Sequence, residues 1–219
     1  RDNLDRCSAC RMHATLCICE LLPALTPRTR VALLVHHREA SKPTNTGQLA
    51  ARCLARSSVT VIGARDQVAV IPAVEPHEQG LLLYPADDAV SIAEYADSEK
   101  PIVLFVPDGS WRQAHKMRRR QPSLAALPCV ILPELATTTY RLRSEPQEGG
   151  LATLEAIARA LRLLEGDPAL ETALLDVFQI MVDRTLWLRG QLGDAQVTGG
   201  LPEAARLANP RGTPGRHRS

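Results

Sequence analysis

Pro101 stands directly before Ile102-Val103-Leu104-Phe105-Val106, an unbroken apolar run that ends at Pro107-Asp108-Gly109. A short apolar run bounded by turn residues reads as a buried strand. Arg30–His36, Val59–Ile62, Leu81–Tyr84 and Cys129–Leu132 are further runs of this kind. Helical patterns fall between and after them. Asn45, with Gln48 three residues on, resembles a capping box, and Leu49, Ala50, Cys53 and Leu54 follow as one inner face. Leu154, Ile157, Ala158, Leu161 and Leu164 recur at helical spacing from Thr153 to Glu165. Asp167-Pro168 then opens a longer helix that ends near Gly190. Strands alternating with helices predict an α/β domain, a mostly parallel sheet with helices on both faces.

Composition narrows the class. The chain has 219 residues, 45% hydrophobic and 23% charged, which is globular and excludes wholesale disorder. No apolar run reaches the roughly 18 residues of a membrane span. The first residues carry no apolar signal core, which argues against secretion and for the cytoplasm. There is no phosphate-loop, dinucleotide-binding or nucleophile-elbow sequence, so a nucleotide triphosphatase, a Rossmann dehydrogenase or an α/β-hydrolase is not expected. The formal net charge is only +2, but Arg112, Lys116, Arg118, Arg119 and Arg120 lie in a stretch without an acid. Such a cluster is either a nucleic-acid footprint or a solvated helix face.

Four of the six cysteines, Cys7, Cys10, Cys17 and Cys19, crowd the N-terminal segment as C-x2-C-x6-C-x-C. Four thiolates are the complement of tetrahedral zinc, with redox dithiols or free thiols as the alternatives. Nothing else in that segment is expected to form a core. Cys53 and Cys129 sit in apolar runs and read as small buried hydrophobes.

Ligands of open α/β sheets sit at the carboxyl ends of strands. The clearest strand ends in Asp108-Gly109-Ser110-Trp111-Arg112, placing a carboxylate, a hydroxyl and a tryptophan in one turn. In the helix that follows, Arg112, His115, Lys116, Arg119 and Arg120 share one stripe. That stripe would hold phosphates while Asp108 moves a proton on a base. The plainer readings are a turn for Asp108-Gly109 and a core plug for Trp111. The loop Pro133 to Arg143 is rich in Thr, Tyr and Arg, and Gly149-Gly150 precedes the next helix N-terminus, where backbone amides could hold a carboxylate.

Five separated segments together resemble the DTW-domain proteins, tRNA-uridine aminocarboxypropyltransferases. They are the cysteine cluster; His36, Glu39 and Thr44-Asn45-Thr46; Asp108-x-Ser110-Trp111; Tyr140-x-Leu142-Arg143; and Thr153-x-Glu155-Ala156. They keep the family's order and cover Cys7 to Arg162. Ser110 stands where threonine is commoner, which keeps the hydroxyl, and His13 stands where proline is frequent.

The resemblance implies a SPOUT-like domain with a C-terminal trefoil knot that binds S-adenosylmethionine. The 3-amino-3-carboxypropyl group would pass to N3 of a tRNA uridine, with methylthioadenosine as by-product. Asp108, which ends a rigid strand beside the basic stripe, is the best candidate for the base that takes the N3 proton. Phe105, Val106, Pro107, Ser110, Trp111, Leu132, Tyr140, Arg141, Leu142, Arg143, Gly150, Thr153 and Glu155 would hold the donor. RNA would meet His36, Arg38, Lys42, Asn45, Arg112, His115, Lys116, Arg119 and Arg120, and structural zinc would sit on the four cysteines. The implied layout is a cysteine-rich segment at 1–27, a catalytic domain at 28–195 and a flexible basic tail at 196–219, acting as a monomer, with a homodimer as the alternative. A SPOUT-type RNA methyltransferase and a non-catalytic zinc RNA-binding protein are the competing functions.

Overall fold

A computed structural model describes residues 6–64, 69–133 and 151–208. Among the described residues six strands form one sheet in which every paired neighbour is parallel: β1 Arg30–His36, β2 Ser57–Ile62, β3 Gln79–Leu83, β4 Val90–Ser91, β5 Ile102–Asp108 and β6 Cys129–Ile131. Their order across the sheet is β2-β1-β5-β3-β6-β4. Parallel neighbours need crossover connections, and these put helices on both faces.

Side-chain alternation sorts the core. Val31, Leu33, Val35, Leu104 and Val106 face α1 Thr46–Cys53, α4 Thr153–Glu165 and α5 Pro168–Leu188. Ala32, Leu34, Val103 and Phe105 take the opposite face with Met117 of α2 Trp111–Arg120 and Leu124 of α3 Pro122–Ala125. The same period of two carries Asp108, two residues past Val106, onto the α1/α4 face. Its strand is interior, with β1 on one side in the register Val35 to Asp108.

Helix boundaries follow local chemistry. Gly166 adopts a left-handed φ of 65° that ends α4, and Asp167 with Pro168 opens α5 at once. The Glu165 carboxylate accepts the backbone N–H groups of Arg28 and Thr29, fastening the end of α4 to the entry of β1. Asn45 caps α1 as expected, accepting from Gln48 N, but the Gln48 amide donates to Ala40 O, so only half of the capping box forms.

Two expectations about the chain's ends change. The cysteine segment shares in the main core, because Met12, Leu16 and Ile18 are buried in the main cluster. At the other end, Val197, Leu201 and Ala205 are also buried, and α6 Glu203–Ala208 lies against the turn at Ala14–Leu16. Asp183 of α5 holds this segment by accepting from Thr198 N and Oγ1. The chain up to Ala208 is therefore packed, and the remainder of the expected tail lies outside the described residues. Residues 134–150, which include most of the Thr-, Tyr- and Arg-rich loop expected to help hold the donor, also lie outside them. No helix among the described residues is long and apolar enough to cross a membrane.

Candidate active site and cysteine centre

Asp108 is the last residue of β5 and is only 8% exposed. A buried carboxylate needs hydrogen-bond partners, and this one has a donor on each oxygen. Asn45 Nδ2 donates to Oδ2 at 2.6 Å, and Thr153 Oγ1 donates to Oδ1 at 2.5 Å. These donors come from the N-termini of α1 and α4, helices that enter the fold far apart in sequence. The two helix starts also touch directly, through Leu154 N donating to Thr46 Oγ1. Gly47 makes the approach possible: a Cβ there would stand 2.9 Å from Leu33, 3.1 Å from Thr153 and 3.2 Å from Asp108 Oδ2. Glu155 is fully buried and accepts from Ala152 N, closing the first turn of α4.

Beyond Asp108 the chain turns at Gly109 and enters α2. Ser110 caps this helix in a reciprocal pair with Gln113. Trp111 is 56% exposed at the first position of α2, so it is no core plug but an open aromatic face three residues beyond Asp108. Ala114 and Met117 pack inward, which leaves Arg112, His115, Lys116, Arg119 and Arg120 exposed on the far face, as the stripe predicts. His115 shares a 3.4 Å contact with Tyr84 Oη, and the Arg118 guanidinium lies 5.8 Å from the Tyr84 ring, which docks α2 on the exit of β3. His36 ends β1, with its ring 4.6 Å from that of His37. Burial, then the neighbouring His37 and Arg38, hold its imidazole below the ordinary value.

Several residues expected at the site serve elsewhere. Phe105 and Val106 are fully buried core on opposite faces of the sheet, so their side chains present nothing to a ligand. Asn45, expected against RNA, uses both ends of its amide internally. Lys42 is exposed but paired with Glu39 at 2.6 Å, while Arg38 is exposed. Pro107 and Leu132 are half-buried at the ends of β5 and β6. Tyr140, Arg141, Leu142, Arg143 and Gly150 lie outside the described residues.

The four N-terminal cysteines converge, with all sulfurs within 4.8 Å of one another. Cys7 to Cys19 and Cys10 to Cys17 are each 3.7 Å apart. A tetrahedral zinc with Zn–S bonds of about 2.3 Å sets its sulfurs about 3.8 Å apart, so this donor set fits that ion. The turn after Cys7 is that of a metal knuckle: Arg11 N returns to Cys7 O, and Arg11 takes a left-handed φ of 59°. Backbone amides of Cys10 and Ala9 aim at the Cys7 thiol and lower it to about 6, whereas burial pushes Cys19 up to about 12. Two arginines that the sequence did not flag attend the cluster. Arg52 Nη2 lies 3.4 Å from Cys19 Sγ, and the buried Arg184 donates to Cys17 O at 2.7 Å and to Leu16 O. Neither has a sequence signal, because both are distant in the chain from the cysteines they serve.

A family model for the DTW domain matches residues 4–186. The chain belongs to the DTW-domain family. Within that family it is similar to tRNA-uridine aminocarboxypropyltransferase 2 of Drosophila melanogaster, at 29% identity over 78% of this chain and 71% of that one. The Mus musculus protein of the same name is 32% identical over 80% of this chain, and the Macaca fascicularis one 30%. This DTW chain spans 61% of the length of each of these two mammalian relatives. Among solved structures, the SAM-dependent rRNA:acp-transferase Tsr3 from Vulcanisaeta distributa aligns over 82% of this chain and 89% of its own, at 13% identity and a TM-score of 0.44. That likeness is too loose to carry residue roles across.

Proposed function

We propose that this DTW-domain chain is a transferase that moves the 3-amino-3-carboxypropyl group of S-adenosylmethionine to N3 of a tRNA uridine. The observation that carries the reading is the name shared by the fly, macaque and mouse relatives, each matched across about four-fifths of this chain. The geometry at the end of β5 supplies the chemistry such a reaction needs.

Uridine N3–H is a weak acid and the neutral nitrogen a poor nucleophile, so a positioned base accelerates attack. Asp108 takes that proton. Asn45 and Thr153 each occupy one lone-pair direction on a different oxygen, and a carboxylate has about four. Its plane is thereby fixed while acceptor capacity remains. As N3 bonds to the γ-carbon of the methionine moiety, the γ-carbon–sulfur bond breaks and its electron pair returns to sulfur. The sulfonium charge is cancelled and neutral methylthioadenosine leaves. Orientation selects the γ-carbon over the methyl group, so the site mainly holds its two substrates in line.

Trp111 offers a stacking surface for a base. The exposed cations of α2 meet phosphates, with His36 at the end of β1 and Arg38 in the turn after it adding to them. The donor's amino-acid end sits toward the α4 N-terminus, where Thr153 and Glu155 fix the first turn. Zinc on Cys7, Cys10, Cys17 and Cys19 would cross-link the N-terminal segment and would touch neither substrate. The reading makes the protein a cytoplasmic monomer.

The deciding experiment incubates the protein with unmodified tRNA and S-adenosylmethionine, then reads nucleoside masses and by-product. Aminocarboxypropyl-uridine with methylthioadenosine is the expected result. A methylated nucleoside with S-adenosylhomocysteine would replace the reaction by methyl transfer. Bound tRNA with neither product would make this a binding protein.

A further inference from the structure

The cysteine cluster and Asp108 share one helix. Arg52, on the last turn of α1, reaches Cys19 Sγ, and Asn45, the cap of its first turn, reaches Asp108 Oδ2. Between them lie about two turns of helix, roughly 10 Å. That length is held along one side: Leu49, Ala50 and Cys53 are buried in the main core, and Thr46 and Gly47 are pinned against Leu154, Thr153 and Leu33. A short helix fixed in this way moves as a body rather than bending.

Charge explains why an arginine belongs at the lower end. Four thiolates around a divalent cation leave two surplus negative charges, which N–H donors to sulfur offset. The amides of Ala9 and Cys10 serve Cys7, and the buried Arg184 lies near enough to Cys10 and Cys17 to feel their charge. Cys19 has Arg52. The cleft of about 130 Å³ between the knuckle and α1 is lined by Arg11, Lys42 and Arg52, and a phosphate site there would be the obvious alternative. It is poorly supported, because Lys42 is paired with Glu39 and Arg52 is committed to sulfur.

We propose that α1 is a strut through which the metal-loaded cysteine cluster positions Asp108, with Arg52 as the linking residue. Arg52 is a positioning residue: it touches a metal ligand and acts on the carboxylate only through the placement of Asn45. The proposal rests on the transferase reading for its kinetic consequence, but two of its three tests do not.

The full chain is purified with zinc as wild type, Arg52→Ala and Arg52→Lys. Zinc loss to a chromogenic chelator is timed, and hydrogen exchange is followed at the amides of Gln48 and Leu49, which bond to Asn45. Arg52→Ala should release zinc about tenfold faster. It should also exchange those two amides several-fold faster, with Arg52→Lys between it and wild type. In the transfer assay kcat should fall about tenfold, with KM for donor and for tRNA within twofold. Zinc retention and exchange unchanged in Arg52→Ala would overturn the strut. So would faster zinc loss with unchanged exchange at Gln48 and Leu49, since Arg52 would then be a neighbour of the metal and nothing more. If the wild type transfers nothing, the transferase reading fails, while zinc release and amide exchange still decide the strut.

Discussion

Asp108 and the outer face of α2 are joined by one turn of chain, yet they are built on opposite principles. Around Asp108 three elements converge, each carboxylate oxygen has its own donor, and a single added methyl at Gly47 would collide. On the outer face of α2, Arg112, Lys116, Arg119 and Arg120 stand in solvent, each a long side chain on a helix surface. The first arrangement is intolerant, because losing one partner leaves a buried polar group unsatisfied. The second is redundant, because a phosphate surface is met by summed charge. Chemistry that needs one atom in one place belongs to the first region, and grip on a long anionic substrate belongs to the second.

The sharpest way to break that contrast is Asp108→Asn. Asparagine keeps the shape and can still bond Thr153, whose hydroxyl reverses, but it cannot take a proton. Transfer should fall about 10²- to 10⁴-fold with tRNA affinity within twofold, read by nucleoside mass and by anisotropy of labelled tRNA. Retention of activity would make Asp108 a positioning group. Thr153→Val comes next: it removes one donor while preserving volume, and should lower kcat about tenfold and stability by about 1 kcal/mol in denaturant unfolding.

A charged pair remote from the site calibrates these costs. Glu78 accepts from Arg30 at 2.6 Å and from Glu75 N, and the Arg30 hydrogen bond holds its carboxyl below the ordinary value of 4.5. The folded state thus binds its proton less readily than the unfolded one. The stabilisation is complete above about pH 4.5 and is lost as pH falls through the lowered folded value. Glu78→Gln should cost about 1.5 kcal/mol at pH 7, and the gap to wild type should close as the pH falls through the lowered folded value. The smallest effects belong to α2. Single alanines at Arg112, Lys116 or Arg119 should each weaken tRNA binding about two- to threefold and reduce the log–log salt slope by about 1, leaving kcat alone.

The strands were legible because apolar runs between polar turns have few other ways to fold. β1 matches residue for residue, and α4 does so at both ends, set by its periodicity and by Gly166. The two-residue β4 and the four-residue α3 carry too little pattern to be seen. Asp108 was visible as an acid at a strand end, and the pleat already determined which face it would take. Its partners were a different matter. Asn45 and Thr153 stood in recognisable segments, but pairing residues 63 and 45 positions away from Asp108 is a property of topology, not of local sequence. Arg52 and Arg184 are hidden for the same reason. The tail misled because Val197, Leu201 and Ala205 are widely spaced among small and polar residues, and their burial depends on a surface supplied by the other end of the chain.

That last arrangement sets an order of events during synthesis. The cysteine segment leaves the ribosome well before its partners: the arginine that braces Leu16 and Cys17 is encoded 168 and 167 residues later, and α6 later still. Contacts of such separation are slow to form. For most of translation the cysteine segment therefore waits on an unfinished platform, until the arginine and the helix that brace its backbone have been made.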